Sequence, residues 1–257
     1  MMKKYPADRH ELAKKLCELG VTLYSYESIG STNNEAKAYA SNAEESTFAL
    51  FLAREQTAGR GRAGRNFISR RGQGIYMTLL YFIGKELCDA TAVTGAAAVA
   101  AALSIEEITN KPMRIKWVND VYNDGGKVAG ILTEAVRREN DIAIAVGIGI
   151  NIGEGEIPPE LSGIASSIGN ISGREDELVL GIVKRLIEHI ESDDPLSHVA
   201  EYKKRLMLVG EEVNILRGGE VCDNGIVIGV DDSLGLIIDT PHGREIMRSG
   251  EISIRKR

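Results

Sequence analysis

Three stretches of this sequence carry side chains whose types and spacing suit chemistry on an anion. The first is Gln56-Thr57-Ala58-Gly59-Arg60-Gly61-Arg62-Ala63-Gly64-Arg65, where glycines alternate with arginines. Guanidinium forks grip carboxylate and phosphate oxygens, and glycine lets backbone N–H groups approach the same oxygens closely. By itself the segment fits an anion-binding loop, an arginine-glycine contact to nucleic acid, or a solvated surface loop. Arginine-glycine tracts are usually longer and lie in disordered surroundings, whereas predicted strands flank this one.

The second stretch is Lys116-Trp117-Val118-Asn119-Asp120-Val121, followed by Lys127-Val128-Ala129-Gly130-Ile131-Leu132. A hairpin would bring Asn119, Asp120 and Lys127 together. That set could hold Mg²⁺ and a phosphate, or be a polar hairpin tip with an exposed salt bridge and Trp117 simply in the core. The third is Val146-Gly147-Ile148-Gly149-Ile150-Asn151-Ile152, in which two glycines interrupt an apolar strand. Such glycines mark close approach by a ligand or another backbone, or tight sheet packing. Neither a Walker A sequence nor the three-glycine dinucleotide fingerprint occurs.

The elements that must position these residues follow from periodicity. Asp8 to Leu19 reads as an amphipathic helix stopped by Gly20, and Val21 to Tyr26 as a strand. Ser31-Thr32-Asn33-Asn34 supplies N-cap candidates for a helix through Glu35, Ala36, Ala38 and Ala40. Phe48 to Ala53 is a buried strand, Gly59 to Gly74 a loop, Ile75 to Phe82 a strand, and Thr91 to Ile108 an alanine-rich helix packed on a sheet. Ile115 to Val121, Gly130 to Val136 and Ile142 to Ile150 are three strands, the first two joined at Asn123-Asp124-Gly125-Gly126. Glu175 to Glu191 and Pro195 to about Leu208 are helical. From Val209 short β-rich runs begin, at Val213 to Leu216, Gly225 to Val230 and Leu236 to Asp239, which suggests a small β-barrel. The expected division is a catalytic domain over 1–208 and a β-barrel over 209–257.

Composition narrows the class. With 43% hydrophobic and 26% charged residues the chain is globular, and its net charge of −6 argues against broad attraction to nucleic-acid phosphates. The apolar stretches at 93–103 and 142–150 read as too short or too rich in Ala and Gly to span a bilayer, and no secretory signal opens the chain. Cys17, Cys88 and Cys222 are widely spaced and odd in number, so a cytoplasmic, reduced protein without structural zinc is expected.

Taken in order, the motifs resemble those of the biotin-protein ligase family over nearly the whole chain. Ser31-Thr32-Asn33 resembles its S-T-N segment, Gln56 to Gly64 its Q-x-x-G-R-G-R-x-G loop, and Lys116 to Asp120 its K-W-P-N-D strand. Lys127 to Leu132 resembles K-x-A/V-G-I-L, Gly147 to Ile152 resembles G-x-G-I/L-N-V/I, and Ala165-Ser166-Ser167-Ile168 resembles A-T/S-S-L/I. The resemblance implies an α+β fold with a central mixed β-sheet and helices, similar to the catalytic fold of class II aminoacyl-tRNA synthetases, plus a small C-terminal SH3-like β-barrel.

It also implies roles. Ser31, Thr32, Asn33, Gln56, Arg60, Gly61, Arg62, Lys127 and Gly130 would bind biotin. Arg60, Arg62, Asn119, Asp120, Lys127 and Asn151 would bind ATP and the adenylate, with Asp120 on Mg²⁺ and Lys127 and Arg62 catalytic. ATP and biotin would be substrates, and the acceptor a lysine of the biotin carboxyl carrier domain of a carboxylase. Two departures stand out. Val118 replaces the proline of K-W-P-N-D, and Phe67 replaces a common tryptophan, which would alter how the loop packs on the adenylate. With only about thirty residues before Ser31 and one helix among them, no DNA-binding module is expected. The complete arginine loop favours biotin over lipoate, and subunit pairing through the central sheet leaves a homodimer open.

Overall fold

The computed structural model describes residues 9–43, 47–84, 89–153, 163–194, 196–248 and 252–256. Strands β1 (Val21–Tyr26), β2 (Phe48–Ala53), β3 (Gly74–Ile83), β4 (Arg114–Lys116), β5 (Asp120–Asn123), β6 (Gly126–Arg137) and β7 (Ile142–Asn151) form one sheet, ordered β1-β2-β3-β7-β6-β5-β4. β1 and β2 run parallel and the remaining neighbours antiparallel, which makes the sheet mixed, as expected.

Strict alternation along β7 sorts its side chains between two faces. Ile144, Val146, Ile148 and Ile150 enter the main core, which also receives helices α1 (His10–Glu18), α3 (Ala90–Thr109) and α4 (Glu175–Ile190). Ala143 and Ala145 face the opposite side, where α2 (Thr32–Asn42) packs Ala36 and Ala40 beside Phe51. The glycines that follow, Gly147 and Gly149, continue that second face.

Each helix is legible in its sequence. Leu12, Ala13 and Leu16 make the buried stripe of α1, and Gly20, at φ +71°, ends it in the left-handed conformation. In α4 Leu178, Val179, Ile182, Val183, Leu186 and Ile187 repeat at helical spacing, and acidic residues fill its first turn. Asp89 caps α3 by accepting from the backbone of Thr91 at 2.8 Å, and Asn110, at φ 53°, closes it.

Three expectations change here. α3 is 20 residues long and, by length and hydropathy, matches a membrane span, but it is mostly buried within the protein as a core helix. Ile115 to Val121 is two short strands, β4 and β5, paired around a turn at 117–119, because Lys116 lies opposite Asp120. The predicted helix near 195–208 shortens to α5 (Val199–Arg205), since the chain turns at 196–198. Asp8 and Pro195, the expected starts of two helices, and Cys88 lie outside the described residues, while Cys17 and Cys222 are exposed free thiols.

The C-terminal strands number two more than expected. β8 (Glu212–Arg217), β9 (Glu220–Val230), β10 (Leu236–Thr240), β11 (Gly243–Met247) and β12 (Ile252–Lys256) form an SH3-like antiparallel sheet ordered β11-β10-β9-β8-β12. β11 has little apolar content, so alternation did not reveal it; all but Met247 of its residues are exposed. Leu234, fully buried, plugs this sheet onto α3 at Gly95, and the Trp117 indole donates to its carbonyl at 2.8 Å.

Candidate active site

An open cleft of about 470 Å³ lies on the second face of the sheet, between the start of α2, the arginine loop, and β6 and β7. Ser31, Thr32, Asn33, Gln56, Arg60, Gly61, Arg62, Asn119, Lys127 and Gly130 all line it. These residues come from segments up to a hundred positions apart, and the sheet is what gathers them.

At one end the lining is neutral and tightly hydrogen-bonded. Ser31 is the N-cap of α2, but its hydroxyl does not cap the helix; Gln56 instead accepts from the Thr32 backbone N–H at 2.9 Å and from the Thr32 hydroxyl at 3.1 Å. The Gln56 amide then donates to Ser69 Oγ at 2.9 Å, and Ser69 donates to the Phe67 carbonyl at 3.0 Å. This chain fixes which way the Gln56 amide points. Thr78, fully buried on β3, lies 2.8 Å from Thr32 Oγ1 and 2.7 Å from Asn33 Oδ1.

The arginine loop is more ordered than its composition suggested. It folds back on itself, with Gln56 bridged to Ser69 and Arg60 to Asn66, around a short 3-10 turn at Arg62–Gly64. The backbone of Thr57 and Ala58 donates to Ile29 and Gly30, each at 2.9 Å, so the loop is pinned to the entrance of α2. Gly59 is required here, because a Cβ would lie 2.3 Å from the Phe67 carbonyl oxygen. Gly61 closes the turn through its N–H to the Arg65 carbonyl at 2.7 Å.

At the other end the lining is charged. Arg62 donates to Asn119 Oδ1 at 2.9 Å, and Asn119 is itself clamped to both backbone groups of Ile131. Burial lowers the pKa of the Arg62 guanidinium while the Asp120 carboxylate pulls it back up, and arginine remains charged throughout. Lys127 Nζ forms an ion pair with Asp120 Oδ1 at 2.6 Å, and among the described residues that buried oxygen has no further polar partner. The Tyr202 hydroxyl of α5 is buried nearby, and its pKa is raised by burial and then by Asp120.

Two predicted site residues, Asp120 and Asn151, are not among those lining the cleft; Asp120 reaches it through its ion pair with Lys127, while Asn151 lies behind it. The Asn151 amide donates to the Ser166 carbonyl at 2.9 Å and the Lys127 carbonyl at 3.4 Å, so it secures the backbone that carries Lys127. The glycines of β7 prove to be space for side chains. A Cβ at Gly147 would lie 2.0 Å from Asn33 Oδ1, and one at Gly149 would lie 2.5 Å from the Phe67 ring. Gly130 is crowded by Lys127 Nζ at 3.0 Å. The Trp117–Val118 peptide bond is cis.

Sequence reading missed Thr78, Glu134, Lys37 and Met77. Thr78 is a polar residue within the apolar run Ile75 to Ile83, and Glu134 follows Gly130 and Leu132 at the strand period; either irregularity could have flagged them.

Residues 25–151 match the Biotin/lipoate A/B protein ligase family, and residues 208–255 match the Biotin protein ligase C terminal domain. A bifunctional ligase/repressor of Bacillus subtilis is 31% identical over 92% of this chain and 75% of its own length. The chain belongs to the biotin protein ligase family. A biotin--[acetyl-CoA-carboxylase] ligase of Paracoccus denitrificans is 32% identical over 86% of this chain and 96% of its own. The biotin protein ligase of Aquifex aeolicus, solved with biotin and ATP, superposes with a TM-score of 0.73 at 28% identity, covering 93% of this chain and 99% of that one. Membership makes this chain an ATP-dependent, AMP-forming ligase.

Proposed function

We propose that the cleft activates biotin with ATP and passes the biotinyl group to a lysine of a biotin carboxyl carrier domain. The observation that carries this reading is the convergence of neutral acceptors, paired guanidinium groups and Lys127 on one cleft in a chain of this family.

The neutral end formed by Ser31, Thr32, Asn33 and Gln56 suits the ureido ring, whose N–H and C=O groups need partners of fixed direction. The charged end suits the acid and the triphosphate. Lys127 and Arg62 draw the biotin carboxylate and the ATP α-phosphate together, neutralising charge that grows as the carboxylate oxygen attacks phosphorus. The α-phosphorus–oxygen bond to pyrophosphate breaks, pyrophosphate leaves, and biotinyl-5′-AMP remains. Arg60 and Gly61 hold the loop over this mixed anhydride and exclude water. The carrier lysine then attacks the acyl carbon as its free amine, and AMP departs. Asn119 orients Arg62 from the nucleotide side, and Asn151 acts by holding the backbone of Lys127.

Mg²⁺ fits this end in a limited way. Among the described residues no cluster of three metal-ligating side chains exists, yet the Asp120 carboxylate, whose buried Oδ1 is held by Lys127 alone, suits a cation that takes most of its ligands from phosphate and water. Asp120 would hold it, with Asn119 beside, and the ion supplies charge neutralisation on the phosphates. We place the boundary between the catalytic domain and the SH3-like domain at 208/209.

The test is biotin-dependent exchange of labelled pyrophosphate into ATP. Exchange should require biotin and fall by about 10²–10³-fold in Lys127→Ala, the loss expected for a missing cation at a developing charge. Exchange supported by lipoate alone would assign the same chemistry to a different acid.

A further inference from the structure

A carboxylate outside the cleft lining touches the neutral end of the cleft. Glu134, on β6, accepts from Asn33 Nδ2 at 3.0 Å through one oxygen, while its other oxygen lies 2.6 Å from Lys37 Nζ and 3.4 Å from Arg60 NH1. Arg60 NH1 also donates to Asn34 Oδ1 at 2.9 Å, so Glu134 and the first turn of α2 hold this arginine jointly.

The bond to Asn33 decides an orientation. Asn33 is 4% exposed, and its amide nitrogen donates to two groups that can only accept, the ionised Glu134 and the Leu132 carbonyl at 3.1 Å. Both amide protons are therefore used, and Oδ1 must face Thr78 and the cleft. Thr78 has a single hydroxyl proton but two acceptors within reach, Asn33 Oδ1 and Thr32 Oγ1. The Thr32 proton is directed to Gln56. Among the described residues one of the two oxygens consequently lacks a donor, and a ligand N–H is the group that would fill it. Burial alone would raise the pKa of Glu134, but its hydrogen bonds to Lys37 and Asn33 and the charge of Arg60 outweigh that and lower it, so the acceptor-only state persists at neutral pH.

We propose that Glu134 is a positioning residue for ligand specificity: by orienting the Asn33 amide and tethering Arg60, it keeps the neutral end of the cleft an acceptor site that selects a ring bearing N–H groups. This rests on the proposed function and deepens it. A ureido ring supplies the missing donor, whereas a dithiolane ring has none and leaves the acceptor unsatisfied, a difference that buried polar sites enforce strongly.

The experiment compares wild type, Glu134→Gln and Glu134→Ala in pyrophosphate exchange, with biotin and ATP varied separately, lipoate as competing acid, and thermal melting alongside. Biotin-dependent exchange by wild type establishes the underlying reading independently of either variant. Glu134→Gln keeps the shape and removes the charge, so it guards against failure of the alanine variant to fold. The expected result is a rise in KM for biotin of about tenfold in Glu134→Gln and more in Glu134→Ala, with KM for ATP within about twofold of wild type and a smaller preference for biotin over lipoate. The proposal is overturned if KM for biotin stays within twofold in both variants, if both KM values rise together, or if the preference for biotin is unchanged.

Discussion

The two faces of β7 use the same backbone for opposite purposes. On the helical face Ile144, Val146, Ile148 and Ile150 fill the core against α3 and α4, and interior volume is what counts. On the other face Ala143, Ala145, Gly147 and Gly149 shrink in the direction of the site, and missing volume is what counts, because Asn33 and Phe67 occupy it. Substitutions on the first face should therefore register mainly as stability and on the second mainly as substrate binding.

The largest expected effect is on the helical face. Leu79 is fully buried and pairs with Val146, so Leu79→Ala should lower unfolding stability by about 3 kcal/mol while leaving KM for biotin near its wild-type value. Urea denaturation and exchange kinetics on one preparation measure both, and a binding defect as large as the stability defect would erase the contrast. Next comes Gly147→Ala, whose new Cβ drives Asn33 out of register. Biotin-dependent exchange should drop about a hundredfold, as expected for a displacement near 1 Å in a positioning group.

A third effect belongs again to the helical side. His198 is 6% exposed, packs edge-on against His189 with ring centroids 4.5 Å apart, and among the described residues has no hydrogen-bond partner on either nitrogen. Burial, followed by the charge of His189 and opposed by Asp194, pushes its pKa down to about 4. The unfolded chain takes up this proton at pH values where the native protein does not. Stability from this group is therefore intact above about pH 6.5 and lost as the pH falls toward 4, by about 2 kcal/mol at pH 5. His198→Gln should flatten that part of the stability–pH curve, and an unchanged slope would remove His198 from the account. The smallest effect is Gly149→Ala, where the Phe67 ring sits on a loop and has room to swing aside. A loss of about tenfold in biotin-dependent exchange is expected there, within the range of a modest misplacement.

Much of this was legible in the residues. Helical repeats gave α1 and α4, alternation gave β1 and a continuous apolar run gave β2, both to the residue, and the ordered motifs identified nearly all of the cleft lining. The break between β4 and β5 was not legible, because Ile115 to Val121 carries an apolar pattern that a continuous strand would carry too. Glu134 and Thr78 were not legible either, since a single polar residue in a strand acquires meaning only when its cross-strand neighbours are known.

The sequence by itself determined the secondary elements, the family and the chemical character of the cleft, because these depend on periodicity and on residue types at short range. Only the tertiary structure decided that the β7 glycines make room for Asn33 and Phe67, that the Asn151 amide bonds the backbone of Ser166 and Lys127, and that Glu134 accepts from the Asn33 amide. Those outcomes depend on contacts between β3, β6, β7 and α2, where residues about a hundred positions apart meet within hydrogen-bond distance and local pattern carries no information about the partner.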